Sequence, residues 1–591
     1  MQDQLITVLS ITFFALIAAI VASKFKQPVL LGFLLVGAII GPHTLNFVRD
    51  VGIINLIIEL GAALLLFMIG IEFNLNKLKS VGMKSVFIGI FKIGIIFFLA
   101  YHVFSLFLTT AEAAILAIII SFSSTIIIVK ILEARNMMVR QEIPTLIAIL
   151  IIEDIVAVSV LTILTGIGKA EGTLINTFTH LFNALFILIL IYIVCLAILK
   201  PIFKNFILKN SNDSVTMFTA LSMILLFSWL AHLLGFSFSL GAFLAGSLIA
   251  SIMPPSESKH FHRAISPYSF LFSSLFFIAV GTLVNIGTIL DYKLVILATI
   301  VVVILTRLIA VGLLTYLFSS FKSEQTFFSS IIMISVGEFS LLVARAGQGL
   351  TPGFDLVTIT SVIIFVSAIV MTITLNHATA MQSRLSQTEF LSTKVKIFAS
   401  YLKKVFDGLD LENTYTISFR KVLNVIGGFI IAFLVITNLI ISFSGVLNIM
   451  GHHIILTLGY YAIGAILLAF VGWNIYNYSK KAHATLAIIL ANQSFTRNIH
   501  RSKRIIKAAS AGFFLILIGL FLPFFLFLAK LPKAAGLISL VIVALGLFII
   551  KKSIGHIDSS LKDNAYPKYE KYNSFTIKKY HTPQAAFEVK K

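Results

Sequence analysis

The chain has 591 residues, of which 59% are hydrophobic and only 12% charged, with a mean hydropathy of +1.03, proportions that a soluble protein cannot bury. Its net charge of +21 is gathered in loops between apolar runs, which is the signature of membrane orientation rather than of nucleic-acid binding. The single Cys195 excludes an intrachain disulfide framework, and the absence of a nucleophile–base pair, a metal-ligand cluster or a phosphate loop argues against an enzyme or a cofactor protein.

The first apolar run, Leu5 to Ala22, lacks a basic leader and a small-residue cleavage site, and therefore reads as a span rather than a signal peptide. About thirteen spans precede residue 380: 4–22, 29–41, 52–71, 83–107, 112–132, 143–165, 176–199, 214–234, 237–253, 267–285, 291–319, 326–347 and 354–376. Basic residues mark alternate loops, as with Lys24 and Lys26, then Lys77 and Lys79, then Arg135 and Arg140. The positive-inside pattern predicts an outer N-terminus, a cytoplasmic C-terminus and residence in the plasma membrane, among lipids.

An inverted repeat is legible. Gly32–Ala38 (GFLLVGA) is matched by Gly241–Ser247 (GAFLAGS), and Gly70–Leu75 (GIEFNL) by Gly281–Ile286 (GTLVNI). Both matches are offset by seven spans, and an odd offset reverses the copy in the membrane. Spans 1–6 then correspond to spans 8–13. Two matching spans are interrupted by small polar residues: Ser121-Phe122-Ser123-Ser124-Thr125 in one, Ser335-Val336-Gly337-Glu338-Phe339-Ser340 in the other. Paired interruptions predict two crossed discontinuous helices, with Ser123, Gly337 and Ser340 at the breaks. The alternative is back-bonding of hydroxyls within intact helices.

Between Ile143 and Leu164 the charged residues are Glu153 and Asp154. A charge at the bilayer centre costs at least about 2.5–3.5 kcal/mol, so this pair is either a buried structural ion pair or a site. Arg307 is the only charge between Lys293 and Lys322, and its expected partner is Glu153 or Asp154. The carboxylate left over would bind a proton or a dehydrated monovalent cation. Glu338 and Arg345 share a helix face, Glu338 neutralising helix ends and Arg345 standing toward the outer mouth; a purely structural role is the alternative for both. Glu59 reads as a structural hydrogen-bonding group.

Gly32–Leu45 (GFLLVGAIIGPHTL), Glu59–Glu72 (ELGAALLLFMIGIE), Ser121–Leu132 (SFSSTIIIVKIL), Glu153-Asp154, Gly241–Ala245 (GAFLA) and Gly337–Phe339 (GEF) together resemble the Kef-type monovalent cation:proton antiporters of the sodium/proton exchanger superfamily. The resemblance covers about residues 1–380. It implies an all-α polytopic fold of thirteen spans, a homodimer, and elevator-like alternating access exchanging K⁺ or Na⁺ for H⁺. By matching position it implies that Asp154 binds the ion and the proton, with Glu153, Thr125 and Ser124 beside it. Arg307 and Glu338 would compensate charge, and no metal would be tightly bound.

Two departures follow. Glu153 occupies a position that varies in the family. If Arg307 neutralises it permanently, exchange is one-for-one; if the pair breaks during transport, a second proton moves. The chain also lacks a Gly-rich nucleotide-binding turn after residue 385. Instead a basic linker (381–421) leads to about four further spans within 422–552 (422–444, 453–474, 511–529 and 534–551) and a polar tail (553–591). A gated potassium-efflux channel on the same scaffold and a receptor or assembly factor are the competing readings. Na⁺ and K⁺ are not distinguished.

Overall fold

A computed structural model describes residues 2–24, 29–72, 83–167, 191–201, 213–376, 499–528 and 536–565, apart from single positions within them, and a few isolated positions elsewhere. The described residues form helices and no strand. In order these are α1 (Gln2–Lys24), α2 (Val29–Ile40), α3 (Val51–Glu72), α4 (Met83–Phe104), α5 (Thr110–Ile119), α6 (Thr125–Ala134), α7 (Ile143–Ile167), α8 (Asp213–Leu233), α9 (Phe238–Ile252), α10 (Pro255–Gly281), α11 (Ile286–Asp291), α12 (Lys293–Phe318), α13 (Ser323–Ile332), α14 (Glu338–Gly347), α15 (Leu356–Asn376), α16 (Ile499–Leu528) and α17 (Gly536–Ala565). By length and composition α3, α4, α7, α8, α10, α12 and α15 are long and apolar enough to cross a membrane.

Apolar residues surround these helices, as expected of elements that face protein on one side and lipid on the other. On α12, Val303, Arg307, Ala310 and Leu314 recur at helical spacing and are buried, while Leu294, Leu297, Val301 and Leu305 are exposed. α10 begins at Pro255, well before the expected start at 267, and carries Arg263 on an exposed turn. Apolarity marks only the membrane-depth part of a helix; the polar extension satisfies its own backbone and needs no hydrophobic signal.

The helices pack as two bundles. α3 packs on α9 and α10, α2 on α1 and α10, and α8 on α9. In the second bundle α4 packs on α5, α7 and α12, α14 packs on α5, α7 and α15, and α12 packs on α13 and α15. Glycine permits two close crossings in the first bundle: a Cβ on Gly37 would lie 2.2 Å from the Ile278 carbonyl oxygen, and one on Gly70 would lie 2.3 Å from that of Phe243.

The expected additional spans 511–529 and 534–551 overlap α16 and α17 over 511–528 and 536–551, and these two helices pair with each other. α16 docks on α4: Phe513 meets Phe91 edge-on with ring centroids 5.9 Å apart, and Phe524 meets Phe97 at 6.2 Å. His102 Nε2 lies 3.0 Å from Ser539 Oγ of α17. α17 continues to Ala565, past the point where the polar tail was expected to begin. The linker 381–421, the spans 422–444 and 453–474 and most of span 176–199 lie outside the described residues.

Candidate functional site

Each of the two interrupted spans is a pair of ten-residue half-helices, α5 with α6 and α13 with α14. The breaks touch: Ser123 and Val336 form an isolated antiparallel bridge, and Ser124 N–H donates to the Ser335 carbonyl at 3.0 Å. Gly337 makes the contact possible, since a Cβ there would lie 2.7 Å from both Ser123 O and Ser124 Cα.

Unwound backbone at membrane depth must find partners within the protein. Here side chains supply them. Ser340 Oγ donates to Ile119 O at 2.6 Å, Arg307 Nη2 donates to Ile120 O and Phe122 O at 2.7 Å each, and Val336 N–H donates to Ser367 Oγ at 3.0 Å. Ser123 N–H donates to Glu153 Oε2 at 2.8 Å. The polar residues of the two breaks are thus held by one another and by α7, α12 and α15.

The structure corrects the expected ion pair. Arg307, fully buried, bonds to neither Glu153 nor Asp154; its guanidinium holds Ser123 Oγ and the carbonyls at the end of α5. The planar fork of donors fits two converging carbonyls, and the negative end of a half-helix attracts a cation as a carboxylate does. Glu153 pairs instead with Lys92 of α4. Both side chains are fully buried, and Lys92 Nζ also donates to Ser123 Oγ. Ser123 is therefore the hub on which Lys92, Arg307 and Glu153 converge.

Asp154, one residue on, projects differently. It is half-buried, and both of its carboxylate oxygens accept from Thr125 Oγ1, at 3.2 and 3.1 Å. Thr125 opens α6, so the aspartate faces the start of a half-helix, where free backbone N–H groups favour negative charge. Ser124 Oγ donates to Glu338 Oε2 at 2.9 Å, and Glu338 stands in the first turn of α14. That carboxylate is buried, and its Oε1 has no hydrogen-bond partner among the described residues. Its position suits the expected role of neutralising helix ends.

Each residue of the expected site is thus assembled around the crossing: Ser123, Ser124, Thr125, Glu153, Asp154, Arg307, Gly337, Glu338 and Ser340. Glu59 differs from expectation. It is exposed on the wall of a cavity, where a structural hydrogen-bonding role was expected. Lys92 went unrecognised in the sequence, although a signal was present. It is a lone cation between Ile88 and Ala100 in an apolar span, the same feature that singled out Arg307. Among the described residues no group of three His, Cys, Asp or Glu is arranged to hold a metal.

Residues 10–380 match the model of a family described as "Sodium/hydrogen exchanger, transmembrane". The K(+) efflux antiporter 5 of Arabidopsis thaliana is 29% identical over 344 residues, or 57% of this chain and 59% of that one. An Na(+)/H(+) antiporter of Enterococcus hirae is 30% identical over 336 residues, covering 56% of this chain and 85% of that one. The chain spans only 59% and 54% of the lengths of two plant relatives, K(+) efflux antiporters 5 and 6. Among solved structures, the sodium proton antiporter MjNhaP1 from Methanocaldococcus jannaschii matches with a TM-score of 0.49 and 15% identity, covering 65% of this chain and 99% of that one.

Proposed function

The chain belongs to the sodium/hydrogen exchanger family, and from that premise we propose that it is a secondary antiporter exchanging a monovalent cation for protons at Asp154. The observation that carries the reading is the division of labour between adjacent carboxylates. Glu153 has each oxygen engaged, by Lys92 and by the Ser123 N–H, whereas Asp154 is half-buried beside a hydroxyl at the start of a half-helix. Asp154, half-buried and bonded by the Thr125 hydroxyl, is the carboxylate at which a proton and a dehydrated cation compete. Competition of the two ligands for one carboxylate couples their opposite movements.

The two-bundle packing supports a reading of alternating access. The bundle holding α4–α7 and α12–α15 contains the whole site and slides as a body against the bundle of α1–α3 and α8–α10, in the manner of an elevator. The inverted repeat is supported by the glycine crossings. Exchanging the repeat-related residues Gly37 with Gly246 and Gly70 with Gly281 turns the Gly37–Gly281 contact into the Gly70–Gly246 contact, and both are present. The first bundle then provides the homodimer interface, in a plasma membrane with the C-terminus cytoplasmic.

Glu153 is neutralised by a lysine rather than by the expected arginine, and this sharpens the stoichiometry. While the Lys92–Glu153 pair stays closed, Asp154 alone cycles and exchange is one-for-one. A lysine can release a proton where an arginine cannot, so movement of a second proton would require this pair to open. The relatives named above are antiporters, which leaves the channel reading without support.

The test is proton flux in proteoliposomes with Na⁺, K⁺ or Li⁺, with and without an imposed voltage. Addition of one of these cations dissipates a pH gradient, and Asp154→Asn abolishes the effect while the protein stays folded. Wild-type exchange by that variant would end the assignment. Voltage-independent flux is the expected signature of one-for-one exchange.

A further inference from the structure

α4 is held from two sides. Gly89, Lys92 and Ile96 recur at helical spacing on one face: a Cβ on Gly89 would lie 2.9 Å from the Ile152 side chain of α7, and Lys92 pairs with Glu153 of the same helix. Phe91, Gly94 and Tyr101 share the other face, about half a turn away at roughly 100° per residue. That face meets the C-terminal helix pair. A Cβ on Gly94 would lie 3.2 Å from the Leu520 side chain of α16, and one on Gly536 of α17 would lie 3.2 Å from the Tyr101 ring. Leu520 is buried by this contact. α16 therefore backs the lysine-bearing helix on the face opposite the acid-bearing one.

The contact beside the lysine is aromatic. Phe513 of α16 meets Phe91 edge-on, with ring centroids 5.9 Å apart, and reaches Phe318 of α12 at 6.1 Å. Phe87 stacks on both of those rings, at 6.1 and 6.4 Å. Phe91 immediately precedes Lys92, and Phe318 follows Arg307 by eleven residues, about three helical turns on the same face. The cluster thus joins the two helices whose cations converge on Ser123. Of its four rings, Phe513 alone comes from outside those helices. Ring contacts of this kind have preferred geometries, so they fix spacing as well as burying area.

We propose that Phe513 is a positioning residue for the ion site: it wedges α4 and α12 in register and so keeps Lys92 on Glu153. The carboxylate next to Asp154 then stays neutralised while the ion binds. The C-terminal helix pair is, on this account, a working part of the bundle that carries the site. The inference rests on the reading of Asp154 as the ion site, but half of its test does not.

The test compares Phe513→Ala with Phe524→Ala in the full-length protein. Phe524 docks the same helix on α4, but at Phe97, with centroids 6.2 Å apart. Melting in detergent is measured in the wild-type background and in one carrying Lys92→Met and Glu153→Gln, where there is no ion pair to hold. Phe524→Ala should lower the melting temperature equally in both backgrounds, as unconnected sites do, whereas Phe513→Ala should lower it less in the second. Equal losses for Phe513→Ala in the two backgrounds overturn the proposal. In proteoliposomes at alkaline pH, where protons compete least, Phe513→Ala should lower the cation KM about threefold. An ammonium that retreats from about 6 Å to about 8 Å from the ion, at an effective permittivity near 20, weakens its repulsion by that factor. Phe524→Ala should leave KM unchanged. A KM shift that is absent from Phe513→Ala, or equal in the two variants, overturns the proposal as well. Phe513→Leu, which keeps bulk without the ring edge, should give smaller changes of the same sign, and decides the matter if Phe513→Ala does not fold. Melting needs no transport, so that comparison stands apart from the fate of the antiporter reading, which Asp154→Asn decides.

Discussion

Lys92→Met is the most incisive perturbation of the site. It removes the cation bonded to Glu153 among the described residues while preserving the length and apolar stem of the side chain. The remaining hydrogen bond, from Ser123 N–H to Oε2 at 2.8 Å, leaves Oε1 buried without its counter-charge. Breaking a buried ion pair by deleting one member costs about 3–5 kcal/mol, because the other charge stays desolvated. A Coulomb energy of ~4 kcal/mol for charges 4 Å apart at an effective permittivity near 20 is of the same size. Adding Glu153→Gln removes the stranded charge, keeps an oxygen for the Ser123 N–H and restores the net charge around Arg307. The double variant should therefore regain most of the loss. Thermal stability in detergent, followed by the fraction of protein surviving as a single size-exclusion species, ranks the wild type and double variant together above Lys92→Met. A double variant no more stable than the single one would refute the pairing, as would a single variant as stable as wild type.

Thr125→Val removes the hydroxyl that bonds both oxygens of Asp154 but keeps the shape of the helix start. A hydrogen bond to a charged group contributes about 1.5–3 kcal/mol, so the apparent cation affinity of exchange should change at least tenfold with little change in melting. Gly337→Ala puts a methyl group 2.7 Å from backbone atoms of Ser123 and Ser124, which cannot rotate away. Overpacking of this kind costs about 1–3 kcal/mol, and should reduce both stability and flux. Gly94→Leu tests the docking of the C-terminal helices: a Cβ at 94 already lies 3.1 Å from Phe521 and 3.2 Å from Leu520. Its extra bulk should lower thermal stability measurably, and wild-type melting would mean that α16 does not pack on α4 as described.

Much of the architecture was legible in the chain because the bilayer imposes strict rules. Apolar runs located α3, α7, α12 and α15 to within a few residues, and small polar residues in otherwise apolar spans located both helix breaks. Both signals are local: helix length is fixed by membrane thickness, and unwound backbone needs small side chains at the point of close approach. The adjacent carboxylates stood out because charge is costly in an apolar span. That same rule applied to Lys92, a lone cation that the spacing of Gly and Ser motifs around it did nothing to advertise.

Pairing was a different matter. Arg307, Lys92, Glu153 and Asp154 belong to three helices, and sequence restricts which charges lie at membrane depth without saying which ones meet. One helical residue turns a side chain by about 100°, so adjacent carboxylates at 153 and 154 enter different surroundings. Only the crossing of α5–α6 with α13–α14 decided that Ser123 would gather two cations and one acid. Only the packing of α4 against α7 brought the lysine to Glu153, leaving the arginine to the carbonyls that the broken helix exposes. The sequence by itself determined that this chain is built of apolar spans, that two of them are interrupted by small polar residues and that one carries an adjacent acid pair. The tertiary structure decided that Glu153 pairs with Lys92 rather than with Arg307, because a charge in a low-dielectric interior is settled by the partner within hydrogen-bonding reach.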